Sequence, residues 1–227
     1  MSLFPDVSGV RTVIGVDAGT VSLREADHLA HALADHLALP ATALVCTHLL
    51  RTPDRRGTTL TLTLPDERSA ETTWHRVVEL TARTPLPQGA GSAPAPAPAP
   101  VLSPEFGAVF REVSLGDPAA VEGAAVGVGE AVGRVAGRAV VFPGVGRLTG
   151  TVTVADVLAL SAVERVVVLG TPEEDGGPDP ATPVLTREHV RPEWRDGRLT
   201  LALVPAVGGA LAPFEVPDPT PCCADHA

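Results

Sequence analysis

The chain contains no lysine, no tyrosine and no asparagine, and all 17 of its basic residues are arginine. Without lysine there is no Schiff-base amine and no lysine for a Walker-type phosphate loop, so both chemistries are excluded. Aromatic side chains make up only 3% of the 227 residues, so a core must be filled by Val, Leu and Ala. Cysteine is scarce as well: three thiols are an odd number and imply no disulfide framework. A reducing cytoplasm is the expected compartment. No apolar run approaches the ~18 residues expected of a membrane span. Met1 to Val10 carries Asp6 and no basic leader, so no secretory signal is expected there. The formal charge is −10, without an arginine-rich run, which disfavours nucleic-acid binding through phosphate neutralisation.

Hydrophobic residues are nonetheless 44% of the chain, enough for a packed interior. Val10–Val16 places Val10, Thr12, Ile14 and Val16 on one side of a strand. Ser22 and Glu25 match a capping box, and Leu23, Ala26, Ala30, Leu33 and Leu37 then recur at helical spacing until Pro40. Thr42–Leu50 and Thr58–Leu64 read as strands joined by a turn over Pro53–Gly57. In the second of these, Leu60, Leu62 and Leu64 alternate with Thr59, Thr61 and Thr63, which predicts leucines inside and threonines facing water. A second helix is expected from about Ala70 to Ala82. The fold class predicted is therefore α+β (α/β-type), with an N-terminal β-α-β-β-α sandwich over residues 1–86 whose element order suggests a ferredoxin-like type.

Residues 87–104 are rich in alternating Ala and Pro and read as a semi-rigid linker. An α/β module is expected over 105–217, and a Cys/His tail over 218–227. Asp117-Pro118 suits the start of a helix along which Val121, Ala124, Val128, Val132 and Val135 form a stripe, supported by a Glu130–Arg134 pair. Gly123, Gly127, Gly129, Gly133 and Gly137 weaken that helix, and a flexible connector is the alternative. A β-α-β unit follows: Arg138–Phe142, a helix capped by Thr153, and Val166–Leu169, with parallel pairing of the two strands expected. Asp196-Gly197 and Gly208-Gly209 mark turns of C-terminal hairpins, and Arg187–Arg191 reads as a charged sheet edge containing His189.

The scarce residues cluster. Cys46 and His48 share one side of a predicted strand, and Cys222, Cys223 and His226 fall within the last six residues. Thiolate and imidazole suit zinc or copper, so all five are candidate ligands of a transition metal. The alternative for Cys46 and His48 is a buried thiol beside a hydrogen-bonded histidine. Along the first helix, Arg24, Asp27, His28, His31 and Asp35 share a polar face that is expected to be solvated. The glycines Gly144, Gly146 and Gly150 lie between a strand and a helix, where backbone N–H groups can hold a phosphate, so they are candidate positions for a nucleotide or phosphorylated ligand. Gly15-Val16-Asp17-Ala18-Gly19-Thr20 is similar to the first phosphate motif of actin-like ATPases and sugar kinases, although a helix start at Ser22 replaces the hairpin of that family. No complete catalytic constellation emerges from the order of residues. The leading expectation is a soluble cytoplasmic accessory protein that binds another protein. The alternatives are a metal-handling protein and an enzyme acting on a phosphorylated ligand.

Overall fold

A computed structural model describes residues 12–51, 56–83, 105–171 and 177–216. The linker segment 87–104, the turn residues 52–55 and the tail carrying Cys222, Cys223 and His226 lie outside them. The described chain is mixed α+β, with four α-helices. The described residues form two compact units: one ends at Pro143 and includes Trp194–Gly197, and the other comprises the described part of Gly144–Glu193 and residues 198–216.

The first unit contains β1 (Thr12–Thr20), α1 (Leu23–His36), β2 (Leu44–Arg51), β3 (Arg56–Leu64), α2 (Glu67–Arg83), β4 (Gly107–Phe110), β5 (Val113–Gly116), α3 (Pro118–Gly133) and β6 (Arg138–Val141). Its strand order is β5-β4-β1-β3-β2-β6, and every neighbouring pair is antiparallel. The capping box at Ser22 forms as the sequence predicts: the Ser22 hydroxyl accepts from the Glu25 N–H, and the Glu25 carboxylate accepts from the Ser22 N–H. One face of the sheet carries the core. Ile14 and Val16 of β1, Leu60, Leu62 and Leu64 of β3, and Phe106, Ala108 and Phe110 around β4 meet Leu33 of α1 and Trp74, Val77 and Leu80 of α2. Trp74 packs on Phe110 with ring centroids 5.7 Å apart, and Arg76 ties the two helices by donating to the Leu37 carbonyl at 2.5 Å.

The opposite face is covered by α3, and several expectations change there. The segment is helical, with Asp117 as N-cap accepting from the N–H groups of Ala119 and Ala120. Its inward residues are Ala120, Gly123, Ala124, Gly127 and Ala131; of the predicted stripe, Ala124 is buried and Val121 and Val128 are half-buried against the sheet, whereas Val132 and Val135 are exposed, so the stripe faces the sheet only along its N-terminal part. The reason is distance: the helix axis lies so near the strands that only the smallest side chains fit beneath it. Thr59 and Thr61 are consequently fully buried and do not face water. The expected Glu130–Arg134 pairing is replaced too. The helix ends at Gly133, Arg134 turns to φ 51 and lies over the Trp194 ring, and Glu130 reaches the sheet. Asp27, expected on a solvated face, is buried and paired with Arg138 of β6.

The second unit contains β7 (Thr151–Thr153), α4 (Val154–Leu160), β8 (Arg165–Val168), β9 (Pro183–Leu185), β11 (Arg198–Pro205) and β12 (Leu211–Pro213), in strand order β8-β11-β12-β9-β7. A short strand, β10 (Glu193–Arg195), precedes the Asp196-Gly197 turn, whose φ values of 51 and 74 are those of the two-residue turn predicted from Asp-Gly. The parallel pairing forms at a different place from that expected. β8 pairs in parallel with β11, while β6 pairs antiparallel with β2, whose outer edge accepts it. Thr153 caps α4 through a reciprocal box with Asp156. Arg187 and Glu188 form a positive-φ turn instead of a strand edge, and the turn carries His189 inward to Glu215 at 3.0 Å.

Candidate functional site

The polar groups of the first unit converge under α3. Alternation along the strands sends Ile14, Val16, Val45, Leu60, Leu62 and Leu64 to the α1/α2 side and leaves Gly15 and Asp17 of β1, His48 and Leu50 of β2, and Thr59 and Thr61 of β3 on the α3 side. Glycine makes the approach possible. A Cβ on Gly127 would lie 2.9 Å from the Thr59 methyl, one on Gly15 would lie 2.5 Å from the Ala124 carbonyl oxygen, and one on Gly123 would strike the Asp17 carboxylate. Gly137, with φ 118, folds over the imidazole, where a Cβ would come 2.6 Å from His48 Cε1.

Within this layer His48 bridges two partners. Its Nδ1 lies 2.8 Å from Glu130 Oε2 and its Nε2 lies 2.9 Å from Thr61 Oγ1. A neutral ring donates Nδ1–H to the carboxylate and accepts the threonine hydroxyl at Nε2. Hydroxyl, imidazole and carboxylate in that order have the connectivity of a base-activated nucleophile with an orienting acid. Accessibility argues against that chemistry. The His48 side chain and Thr61 are 0% exposed, and among the three only Glu130, at 30%, meets water. In this conformation the chain of hydrogen bonds is a tether between β2, β3 and α3. Alongside it, Asp17 accepts from the Gly19 N–H at 2.9 Å across the irregular end of β1, so the Gly15–Thr20 motif closes on itself and leads directly into α1.

Cys46 and His48 do occupy neighbouring positions of one buried strand, as predicted. Burial pushes the Cys46 thiol up to about 12, despite a hydrogen bond at Trp194 and the charge of Arg138, so it is a poor thiolate ligand. Both ring nitrogens of His48 are engaged, and among the described residues no three His, Cys, Asp or Glu side chains assemble as a metal-holding group. The glycines proposed to cradle phosphate separate in role. Gly144, with φ 82, is pressed against the Leu160 carbonyl, where a Cβ has no room, while a Cβ on Gly146 or Gly150 would meet nothing within 4 Å. The turn after Gly144 is three residues of 3-10 helix, Val145–Arg147.

Sequence reasoning missed Thr61 and Glu130 as partners of His48, and Arg138 as the partner of Asp27. These pairs are separated by 13, 82 and 111 positions, and no local pattern links residues so far apart. No helix among the described residues is long and apolar enough to cross a membrane. No protein-family model, curated protein or solved structure matches the chain.

Proposed function

We propose that this protein is an interaction module and that the outer face of α3 receives its partner. The observation that carries the reading is the composition of that helix. Apart from exposed Glu122 and half-buried Glu130, it is apolar on the side turned to solvent as well as on the side turned to the sheet. Ala125, Val126, Gly129, Val132 and Gly133 are exposed, with Val132 at 66% and Val135, just beyond the helix, at 69%. A helix with so large an apolar share on its outer face is normally covered there as well. Ala125, Gly129 and Gly133 recur every four residues beside Val126 and Val132, and side chains this small suit a second helix packed at short range.

Charge selects among occupants. The charged residues of α3 are Glu122 and Glu130, and the chain carries −10 overall. A partner helix with an apolar stripe flanked by basic side chains is favoured, and a second copy of this acidic chain is disfavoured. The framework supports the same reading. We interpret the order β4-β1-β3-β2, with α1 and α2 on one face, as a ferredoxin-like core whose other face is closed by α3. The free, buried thiol of Cys46 is compatible with a cytoplasmic setting.

The test compares wild type with a Val126→Glu/Val132→Glu variant. Protein crosslinked through a photoreactive group at position 129 should capture one defined basic partner. The variant should lose at least about tenfold in affinity for that partner with unchanged circular dichroism. Equal affinity in the variant, or self-association measured by light scattering, refutes the reading.

A further inference from the structure

We propose that α3 is a separately opening cover, latched onto the sheet by the Glu130–His48–Thr61 chain, and that it opens while the α1/α2 side of the unit stays folded. The two faces of the sheet differ in what holds them. Toward α1 and α2 the contacts are made by Ile14, Leu60, Leu62, Leu64, Trp74 and Phe110. Separating those elements would expose large apolar side chains, which water opposes strongly. Beneath α3 lie Asp17, His48, Thr59 and Thr61, all buried, with Leu50 the large apolar side chain among them, and the helix lays alanine and glycine against them, flanked by half-buried Val121 and Val128. Lifting α3 therefore releases less apolar surface than separating the α1/α2 side and returns polar groups to water, which offsets part of the lost packing.

The helix is also built to be weak alone. Four of its 16 residues are glycine, the poorest ordinary helix former after proline. Its ends coincide with unusual backbone: Gly116 at φ 96 before the Asp117 cap, then Arg134 at φ 51 and Gly137 at φ 118 after it. Such positions can absorb a change in chain direction. The latch crosses the gap between helix and sheet at 2.8 Å and continues at 2.9 Å to Thr61. Opening bares the His48 imidazole and the Thr61 hydroxyl, the two groups of the nucleophile-like chain that are sealed in the closed form.

Native-state hydrogen exchange of the intact protein, read by mass spectrometry in increasing urea, tests this. Amides of 119–133 should exchange with weaker urea dependence than those of β1 and β3, because a partial opening exposes less surface than global unfolding. Glu130→Ala should speed exchange of those α3 amides by about tenfold or more, since it removes a hydrogen bond to a charged group. Val77→Ala, a core change under α2, should speed β1 and β3 amides by about tenfold and leave α3 amides unchanged. The proposal is overturned if α3 amides share the urea dependence of β1 and β3, or if Val77→Ala accelerates them by the same factor as the sheet.

Discussion

Removing Arg138 should be among the most damaging single changes to the first unit. Its guanidinium donates to Asp27 through Nη1 at 2.5 Å and Nη2 at 3.0 Å, and the two side chains are 9% and 11% exposed. The pair joins β6 to α1 across the sheet, and Thr47 shares in it by donating to the Arg138 carbonyl at 3.4 Å. Arg138→Met keeps the volume but takes the opposing charge away from a buried carboxylate. Breaking one partner of a buried ion pair costs about 3–5 kcal/mol, a large share of the ~5–15 kcal/mol that stabilises a typical domain. With a urea slope of about 2 kcal/mol per molar, the midpoint should fall by roughly 1.5–2.5 M. Both tryptophans, Trp74 and Trp194, lie in this unit, so intrinsic fluorescence reports its unfolding directly. The double variant Asp27→Leu/Arg138→Met removes both charges and should recover most of the loss. A midpoint shift under about 0.5 M for Arg138→Met, or simple additivity in the double variant, would show that the pair is solvated and that β6 is not anchored to α1 through it.

Two further outcomes follow from groups with shifted titration. Because burial raises the Cys46 thiol to about 12, native protein at pH 8 should hold roughly a thousandfold less thiolate there than an ordinary cysteine. Iodoacetamide should leave the Cys46 peptide unmodified until urea unfolds the unit, and rapid native labelling would contradict the burial. Asp156 is held below its ordinary value of 3.8, first by the Thr153 hydroxyl and then by the Thr153 N–H. A carboxyl with a depressed folded value contributes stability that is complete above pH 3.8 and disappears as pH falls through the lower folded value. The Asp156 carboxyl resonance should therefore titrate below 3.8, and Asp156→Asn should flatten the acid limb of the stability curve. Titration at or above 3.8 would mean that the α4 capping box is not formed in solution.

Local signals carried much of the fold. Ser22 with Glu25, Asp117 with Pro118, Thr153 with its helix, and Asp196 with Gly197 each act within four residues, and each appears where chain chemistry alone puts it. The alternation of leucine and threonine in β3 correctly separated two faces. It could not say that the threonine face would be covered, because a solvated polar face and a polar face under a glycine-rich helix have the same period. Likewise Cys46 and His48 were legible as scarce residues on one strand. Their environment was not, since the carboxylate that engages His48 comes from residue 130.

What the chain decides by itself is the set of elements: backbone dihedral preferences, caps and apolar periodicity are short-range properties, and neighbouring residues determine them. What only tertiary packing decides is which polar groups are removed from water. Asp27, His48, Thr59 and Thr61 each read as surface or ambiguous residues until α3 and β6 are laid against the sheet. Burial depends on atoms brought in from 13 to 111 positions away, and that information resides in the packed arrangement and in no local stretch of sequence.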